Sequence, residues 1–410
     1  MGQPHSITVR LETVTPLFLA GAEARGQPEL RPPSIRGALR YWLRAALGGA
    51  VDSATQDVLD LVRRNEAMVF GSTEGESGGA SAITLRIAWQ TQPNIERFTR
   101  EGSVTVRKLG RDLKQPSGRD YLYWSMAESG KKEKGNYQPP KQYYKPGTAF
   151  DLILGLRPGV SGGEQIFKRA VAALWLLLQL GGVGSRSRRT AGSLSPARDF
   201  VFEGLQFRLA TDNVQEVARQ LADGLRQVRS WCAAQPAAAQ AGQAVTKFDV
   251  IHPETCRIWV LGSWASSERA VQAIGEALRD FRTYREPDHR EVAKWLNGQA
   301  IRVLERAVFG LPLPFRYSEG GLSGVVQGQT REPAIDRRAS PVWLKVSKTG
   351  NGHYVGVATL FMSEFLPHGE KLHAAKARRA GPPLDPPRDY HLIEQWITGG
   401  FPSCQEVHYA

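Results

Sequence analysis

Residues 181–193, GGVGSRSRRTAGS, concentrate glycine, serine and arginine directly after a long apolar run. Glycine lets a backbone adopt positive φ angles and approach a ligand closely. Backbone N–H groups, hydroxyls and guanidinium groups are the donors that bind phosphate. These residue types predict an anion-binding loop. The residues that we assign to it are Gly182, Gly184, Ser185, Arg186, Ser187, Arg188 and Arg189.

The order of predicted elements excludes two familiar phosphate-binding loops. A P-loop follows a strand, opens a helix and ends in Gly-Lys-Ser/Thr, and a dinucleotide-binding loop also opens a helix. Here the glycines follow a predicted helix and precede a predicted strand, and GxxxxGK[ST] occurs nowhere in the chain. Several neighbouring arginines suit the repeating phosphates of a nucleic-acid backbone. A basic turn without a ligand is the alternative.

A second group of arginines lies on a helix that we predict to open at Ser34. Arg36, Arg40 and Arg44 recur every four residues, with no acid between them, and Gly37 occupies the first turn. Two interpretations stay open, a phosphate-binding face and an ordinary solvated face. Candidates in the second half of the chain are Arg337, Arg338 and Lys345.

The elements that would position these residues predict an α+β fold. Alternation of apolar residues indicates strands, and apolar residues at helical spacing indicate helices. In the first half the predicted order is a strand at 7–11, a helix at 34–49, a weaker helix at 55–69, strands at 83–89 and 150–154, a helix at 164–180 and a strand at 200–209. This order is β-α-β-β-α-β, so we predict a ferredoxin-like (RRM-like) domain over residues 1–210.

Residues 90–147 interrupt that order as a basic, aromatic insertion with poor periodicity. Basic groups interleaved with aromatic rings are typical of single-stranded nucleic-acid binding, because cations follow the backbone and rings stack on bases. A satellite hydrophobic cluster beneath a long loop would have the same composition. The sequence does not decide between the two interpretations.

Residues 211–410 predict a second ferredoxin-like domain with a more irregular pattern. Its predicted elements are helices at 215–231, 268–281, 290–308 and 390–398, strands at 256–261, 342–346 and 353–362, a linker at 233–244, a loop at 310–333 and a hairpin turn at 350–352. The turn sequence Gly-Asn-Gly is a strong hairpin signal.

Composition limits the partners and the location. Lys and Arg number 53 against 40 acids, a net charge of +13, which favours nucleic acid, an anionic membrane or an acidic partner. The apolar run at 170–180 is too short to span a bilayer, and no signal peptide precedes the first strand, so we expect a cytoplasmic protein with no membrane contact. The three cysteines form no CxxC pair, and we expect no metal and no cofactor.

The sequence contains only weak candidates for catalytic residues. Some related folds cut RNA with histidine as general acid or base, and His368 and His373 lie beside a basic run. A cluster of Asp52, Asp57 and Asp60 has the spacing of an ordinary solvated helix face. We therefore expect no catalytic residue in this chain.

Five stretches resemble a known family, in order along both halves. Residues 30–42, LRPPSIRGALRYW, resemble the opening helix of the RAMP proteins of CRISPR systems. Residues 181–189 resemble the glycine-rich loop of the first-numbered RAMP subunit of the type III-B (Cmr) effector. Residues 309–312, 337–341 and 350–352 resemble its C-terminal half.

The resemblance implies two ferredoxin-like domains and a non-catalytic role. Such a subunit would hold the guide RNA near its 3′ end, help to capture target RNA and contact other RAMP subunits, while another subunit cuts RNA. The alternatives are a metal-independent CRISPR RNA endonuclease and a basic scaffold that contacts only proteins. Residues 90–147 match no family motif, so their RNA contact is predicted from composition alone.

Overall fold

The computed structural model describes residues 6–54, 57–73, 79–90, 92–108, 110–233, 244–283, 285–317, 322–328, 337–375, 377 and 379–410, and shows a mixed α and β protein with several sheets. The helices, in chain order, are α1 Pro32–Gly49, α2 Val58–Phe70, α3 Gly118–Tyr123, α4 Gly163–Leu180, α5 Val214–Cys232, α6 Ser267–Arg282, α7 Asp288–Leu296 and α8 His391–Gly400. The strands are β1 Ser6–Thr13, β2 Ile83–Trp89, β3 Ile95–Arg97, β4 Ser103–Lys108, β5 Arg111–Pro116, β6 Gln142–Tyr144, β7 Ala149–Leu156, β8 Leu194–Pro196, β9 Val201–Phe202, β10 Leu205–Gln206, β11 Cys256–Trp264, β12 Leu313–Arg316, β13 Ser323–Gly328, β14 Val342–Lys348, β15 Tyr354–Phe361, β16 Leu372–Ala375 and β17 Gln405–Glu406.

The first four-stranded sheet has the order β2-β7-β1-β8, and every neighbouring pair is antiparallel. In β1 the residues Ile7, Val9 and Leu11 point into the core and alternate with exposed or half-buried neighbours. Val9 lies opposite Leu152 of β7. The alternation arises because one face of the sheet packs on α1 and α4 and the other faces solvent.

The second four-stranded sheet has the order β14-β15-β11-β17, again with antiparallel neighbours. If the four strands of each sheet are numbered in chain order, both sheets have the same spatial order, which is second, third, first and fourth. The predicted hairpin at 350–352 joins β14 and β15 and is confirmed. This sheet is buried on both faces: Ile258 and Val260 face α5, while Trp259 and Leu261 pack with α6 and α8.

Helix α4 lies between the two sheets, in contact with β7 and β8 on one side and β14 and β15 on the other. Its residues from Ala170 to Leu180 are all buried, which explains why the helix is apolar nearly all round. One hydrophobic cluster contains side chains of both sheets together with α1, α4 and α5. The two halves of the chain therefore share a core.

The insertion at 90–147 has structure of its own. It contains the hairpin β4–β5, the short ladder β3–β6 and the helix α3, which packs on α6. Phe98, Tyr123 and Tyr143 are buried against Phe18, so part of its aromatic content is a hydrophobic cluster, as one interpretation of the sequence predicted.

Four elements differ from the sequence predictions. Helix α1 begins at Pro32 rather than after Ser34, because proline at the first helical position lacks only an N–H that would be unpaired there. The fourth strand of the first sheet is β8, whereas residues 200–209 form the separate ribbon β9–β10, turned at Gly204 with φ of 83°. Helix α7 ends at Leu296, where Gly298 has φ of 89°. The predicted loop at 310–333 contains β12 and β13.

Of the predicted linker at 233–244, residues 234–243 lie outside the described part of the chain. Among the described residues, no helix is long and apolar enough to cross a membrane. Cys232 and Cys256 are buried free thiols, and Cys404 is half-buried.

Candidate nucleic-acid interface

The glycines of the loop at 181–193 mainly allow the chain to pack closely on itself. A Cβ at Gly181 would lie 2.3 Å from the indole nitrogen of Trp42, and one at Gly184, where φ is 85°, would lie 2.2 Å from the carbonyl oxygen of Phe18. Gly182 is buried, and its Cβ would lie 2.9 Å from the carbonyl oxygen of Ala191. The sequence predicts that Gly182 contacts an anion. Its backbone faces protein instead, so the structure corrects that prediction. Gly184 is exposed, so its outer side is open to a ligand.

The end of the loop and β8 form a polar seam with β14, the edge strand of the second sheet. An edge strand presents unpaired N–H and C=O groups that must find partners. In this chain the edge groups of β14, in the second half, bond to the loop and to β8, in the first half. The bonds are Thr190 N–H to the oxygen of Leu344 at 2.9 Å, Val346 N–H to Ser193 Oγ at 3.3 Å, Lys348 N–H to Ser195 Oγ at 3.0 Å and Lys345 Nζ to the oxygen of Leu194 at 2.8 Å.

Lys345 belongs to this seam and is fully buried. Burial lowers the pKa of its ammonium group to about 7. RNA cannot reach a side chain with no exposed surface, so the structure corrects the prediction that Lys345 contacts RNA. The sequence pattern of β14 did not reveal this, because an ammonium on a strand normally marks the solvent face.

Asp249 holds two of the predicted RNA-binding arginines. Its carboxylate lies 3.5 Å from Arg188 and 3.9 Å from Arg338, and it accepts hydrogen bonds from Tyr41 and Ser363. The Arg188 guanidinium also lies 4.7 Å from the centre of the Trp343 ring. Arg188 thus joins the two halves, whereas Arg338 is held within the second half, and both cations have a partner in the protein that the sequence did not reveal.

Of the three arginines of α1, two pair with an acid among the described residues and one does not. Glu66 of α2 lies 3.1 Å from Arg40 and 3.6 Å from Arg44, so these two pair with an acid that is distant in sequence. They do not form the unpaired basic face that the spacing suggested. Arg36 has a buried Nε without a hydrogen-bond partner, and a Cβ at the neighbouring Gly37 would meet nothing within 4 Å. Arg36 stays a candidate on an open helix face.

Arg186 and Arg189, like Arg36, form no ion pair with a carboxylate among the described residues. Nε and Nη2 of Arg186 and Nη1 of Arg189 are buried without a hydrogen-bond partner. Burial, together with the nearby charge of Arg282, lowers the pKa of Arg186 to about 10 and that of Arg189 to about 9. Because a guanidinium keeps its proton in proteins, a bound anion is the means of relieving this repulsion.

The second half of the chain supplies Arg282, at the end of α6. Its Nε is also buried without a partner, and its guanidinium lies 5.2 Å from the centre of the Phe309 ring. The neighbouring Arg306 differs, since Asp288 lies 3.7 Å from it. Three cationic groups from both halves therefore lie close enough to repel one another, and none of them forms an ion pair with a carboxylate within the described part of the chain.

The insertion supplies an aromatic ring and a lysine to the same place. Helix α3 packs on α6 where Gly118 meets Gly275, and a Cβ at Gly275 would lie 2.0 Å from the Gly118 carbonyl oxygen. Directly after α3, Trp124 is 62% exposed and lies 5.3 Å from the Arg186 guanidinium. Lys141 donates to Ser185 Oγ at 3.2 Å, and burial lowers the pKa of its ammonium group.

We call this surface the basic crevice, and it consists of Trp124, Lys141, Ser185, Arg186, Arg189 and Arg282. Sequence reasoning found the three loop residues and noted the aromatic run that contains Trp124. It missed Lys141 and Arg282, because no local pattern separates them from ordinary surface cations. Of the remaining predicted residues, Ser187 is half-buried and Arg337 is exposed.

The open face of the first sheet does not resemble an RNA-recognition surface. RRM sheets stack bases on aromatic side chains of their central strands. The outward residues of β1, β2 and β7 in this chain are Ser6, Thr8, Arg10, Glu12, Thr84, Arg86, Ala88, Ala149, Asp151, Ile153 and Gly155. None of these is aromatic, and Arg10 pairs with Asp151 at 3.0 Å. The basic crevice is therefore the better candidate.

The described residues offer few side chains for metal binding or for acid–base catalysis. No group of three His, Cys, Asp or Glu side chains there is placed to hold a metal ion. His373 lies on β16 opposite Gln327, half-buried, with its Nδ1 lacking a hydrogen-bond partner. His368 lies in the preceding turn and is exposed.

Comparison with known proteins agrees with the resemblance seen in the sequence. The family model of the RAMP superfamily matches residues 10–195. CRISPR system Cmr subunit Cmr1-1 of Pyrococcus furiosus is 28% identical over 373 residues, which are 88% of this chain and 89% of that protein. The crystal structure of Cmr1 from Pyrococcus furiosus in its apo form has a TM-score of 0.56 at 20% identity and covers 98% of each chain. A chain in the cryo-EM structure of the type III-B Cmr-beta complex bound to cognate target RNA has a TM-score of 0.50 at 12% identity and covers 96% of this chain and 98% of that chain.

The family model matches the first half of the chain, whereas the similarity to Cmr1 extends over 88% of the chain in sequence and 98% in fold. Residues 10–195 of this chain match the RAMP superfamily model, and the chain is similar to Cmr1 in sequence and in fold.

Proposed function

We propose that this protein is a non-catalytic RNA-binding subunit of a type III-B CRISPR (Cmr) ribonucleoprotein in the cytoplasm. The observation that carries the proposal is the pair Arg186 and Arg189, whose buried N–H groups have neither a carboxylate nor a hydrogen-bond acceptor among the described residues. A buried cation without a partner is unfavourable, and a bound anion would remove that cost. The net charge of +13 and the similarity to Cmr1 point to RNA as that anion.

Two finer points belong to the same proposal. The subunit holds the guide RNA near its 3′ end, helps to capture target RNA and contacts other RAMP subunits, as the family resemblance implies. The halves 1–210 and 211–410 are each ferredoxin-like. The strand order shared by the two sheets, together with a β-α-β-β-α-β succession in each half, supports this description.

RNA binding by the full chain tests the proposal. The variant R186A/R189A removes both loop cations, and we expect its affinity for a short single-stranded RNA to fall roughly 10- to 100-fold, with the slope of log K against log salt reduced by about 2. The matched control is R219Q/R226Q, which removes two exposed arginines of α5. Fluorescence anisotropy over a salt series measures both quantities.

Equal affinity of R186A/R189A and the wild type would reject the loop as an RNA contact. The endonuclease alternative predicts that the purified chain shortens a CRISPR repeat RNA and that H368A or H373A stops it. Intact RNA after prolonged incubation, with binding retained, is the result that we expect.

A further inference from the structure

The basic crevice joins three parts of the chain that are remote in sequence. Arg186 and Arg189 come from the loop after α4, Trp124 from the insertion, and Arg282 from the end of α6. We propose that these four side chains form a clamp for one nucleotide of single-stranded RNA, in which the arginines hold a backbone phosphate and Trp124 stacks on the adjoining base. This inference rests on the proposed RNA-binding function and specifies its ligand.

The phosphate position follows from the unpaired donors. Arg186 offers Nε and Nη2, Arg189 offers Nη1, and Arg282 offers Nε, and none of these atoms has a hydrogen-bond partner among the residues that the structure describes. A phosphodiester carries one negative charge and two unesterified oxygens, so it can accept bonds from several guanidinium groups at once. Arg306 stays outside the clamp because its charge is balanced by Asp288 at 3.7 Å.

The base position follows from the exposure of Trp124. A tryptophan that is 62% exposed beside a guanidinium at 5.3 Å presents an extended π surface next to the phosphate donors. The backbone around it is fixed, because Arg25 donates to the carbonyl oxygens of Ser125 at 3.3 Å and Ala127 at 3.1 Å. Stacking on a held ring is the usual way in which proteins bind unpaired bases.

The clamp selects single strands for a physical reason. In an A-form duplex each base is paired and stacked on its neighbours, so no base can turn onto Trp124 without breaking those contacts. A single strand has bases that are free to splay out while the phosphate stays at the arginines. Lys141, which donates to Ser185 at 3.2 Å, lies beside the clamp to meet the next phosphate.

The test measures binding of the full chain to an oligoadenylate, to the same oligoadenylate in a duplex, and to a matched oligomer without bases. We expect W124L to lower affinity for the single strand about tenfold and W124F to retain most of it, because phenylalanine keeps a ring. R282Q should weaken binding by a similar factor, whereas its control R290Q, an exposed cation that pairs with Glu286, should not. Removal of the bases should make the wild type and W124L equal.

These outcomes separate the clamp from the wider function. If R186A/R189A loses RNA affinity but W124L binds like the wild type, the clamp is wrong and the RNA-binding function stands. If W124L also loses affinity for the oligomer without bases, Trp124 acts on the phosphates and the stacking is wrong. If no variant changes binding, both the clamp and the proposed use of the loop fail.

Discussion

Arg188 and Arg189 are adjacent in sequence but have opposite electrostatic surroundings. Arg188 is balanced by Asp249 at 3.5 Å and packs over Trp343. Arg189 has a buried Nη1 without a partner, and the charges of Arg282 and Arg186 add to the desolvation that lowers its pKa to about 9. An ion pair satisfies the first arginine within the protein. The second leaves a charge that is unfavourable until an anion binds, as at many functional sites.

Lys345 leads to a prediction about pH at the residue scale. Its pKa is lowered by burial to about 7, and that of a lysine in the unfolded chain is about 10.4. Below pH 7 both states are protonated, so the cost of burying the charge is fully present. Between these pKa values the unfolded state binds more protons, so stability rises with pH. We expect the wild type to gain on the order of 1–4 kcal/mol of unfolding free energy relative to K345M from pH 7 to pH 10.

Urea unfolding of both proteins at several pH values measures this difference. The control is K348M on the same strand, where Lys348 pairs with Glu12 at 2.9 Å and is partly exposed. This variant leaves the buried ammonium group of Lys345 in place, so it should keep the rise in stability with pH that we expect of the wild type. Parallel curves for the wild type and K345M would show that the buried ammonium group carries no such cost.

At the scale of elements, the contact between α3 and α6 positions the aromatic side of the basic crevice. The two helices approach so closely at Gly118 and Gly275 that their backbones touch. Trp124 follows α3 directly and Arg282 ends α6, so this contact fixes the distance between the ring and the arginine. Glycine is needed here for the close approach of two backbones.

We therefore expect G275A to act on both stability and binding. Its Cβ would lie 2.0 Å from the Gly118 carbonyl oxygen, which forces α3 away and costs roughly 1–3 kcal/mol of unfolding free energy. RNA affinity should fall as well, because Trp124 moves with α3. Gly399 of α8 has nothing within 4 Å of its Cβ position, so the control G399A should stabilise the protein by about 0.5–1 kcal/mol. Unfolding curves and RNA anisotropy on the same preparations compare the two, and a neutral G275A would contradict the close contact.

At the scale of the whole molecule, the two halves pack against each other around a shared hydrophobic core. The first sheet packs on α1 and α4, the second sheet packs on α4 and α5, and α6 and α8 cover its other face. Burial of apolar surface against the other half is part of what stabilises each. The division into domains at residue 210 stays a prediction, and the hydrophobic core extends across it.

Separate expression of residues 1–210 and 211–410 examines this shared core. We expect each piece alone to expose the apolar surface that it buries against the other half, to bind a hydrophobic dye and to lack a cooperative thermal transition. The full chain should unfold in one transition. A sharp, monomeric melting transition of the first piece alone would show that its core does not need the second half.

The sequence by itself determined most of the elements and showed the resemblance to the RAMP proteins. Alternation located β1, β2, β7, β11, β14 and β15, and the apolar run located α4, because the period of burial follows directly from backbone geometry. It also identified the loop at 181–193 as unusual. Short elements such as β8, β9 and β12 were missed or misplaced, since a few residues carry too little periodicity to distinguish strand from loop.

Only the tertiary structure decided which cations are available to a ligand. Arg40, Arg44, Arg188, Arg338 and Lys345 looked like anion-binding residues in the sequence but find partners or burial in distant elements. Arg282, Lys141 and Trp124 became site residues because α3 docks on α6 and the loop closes between them. An ion pair and a shared crevice depend on distance in space, and residues that are remote in sequence, such as Arg188 and Asp249, leave no local pattern of that distance.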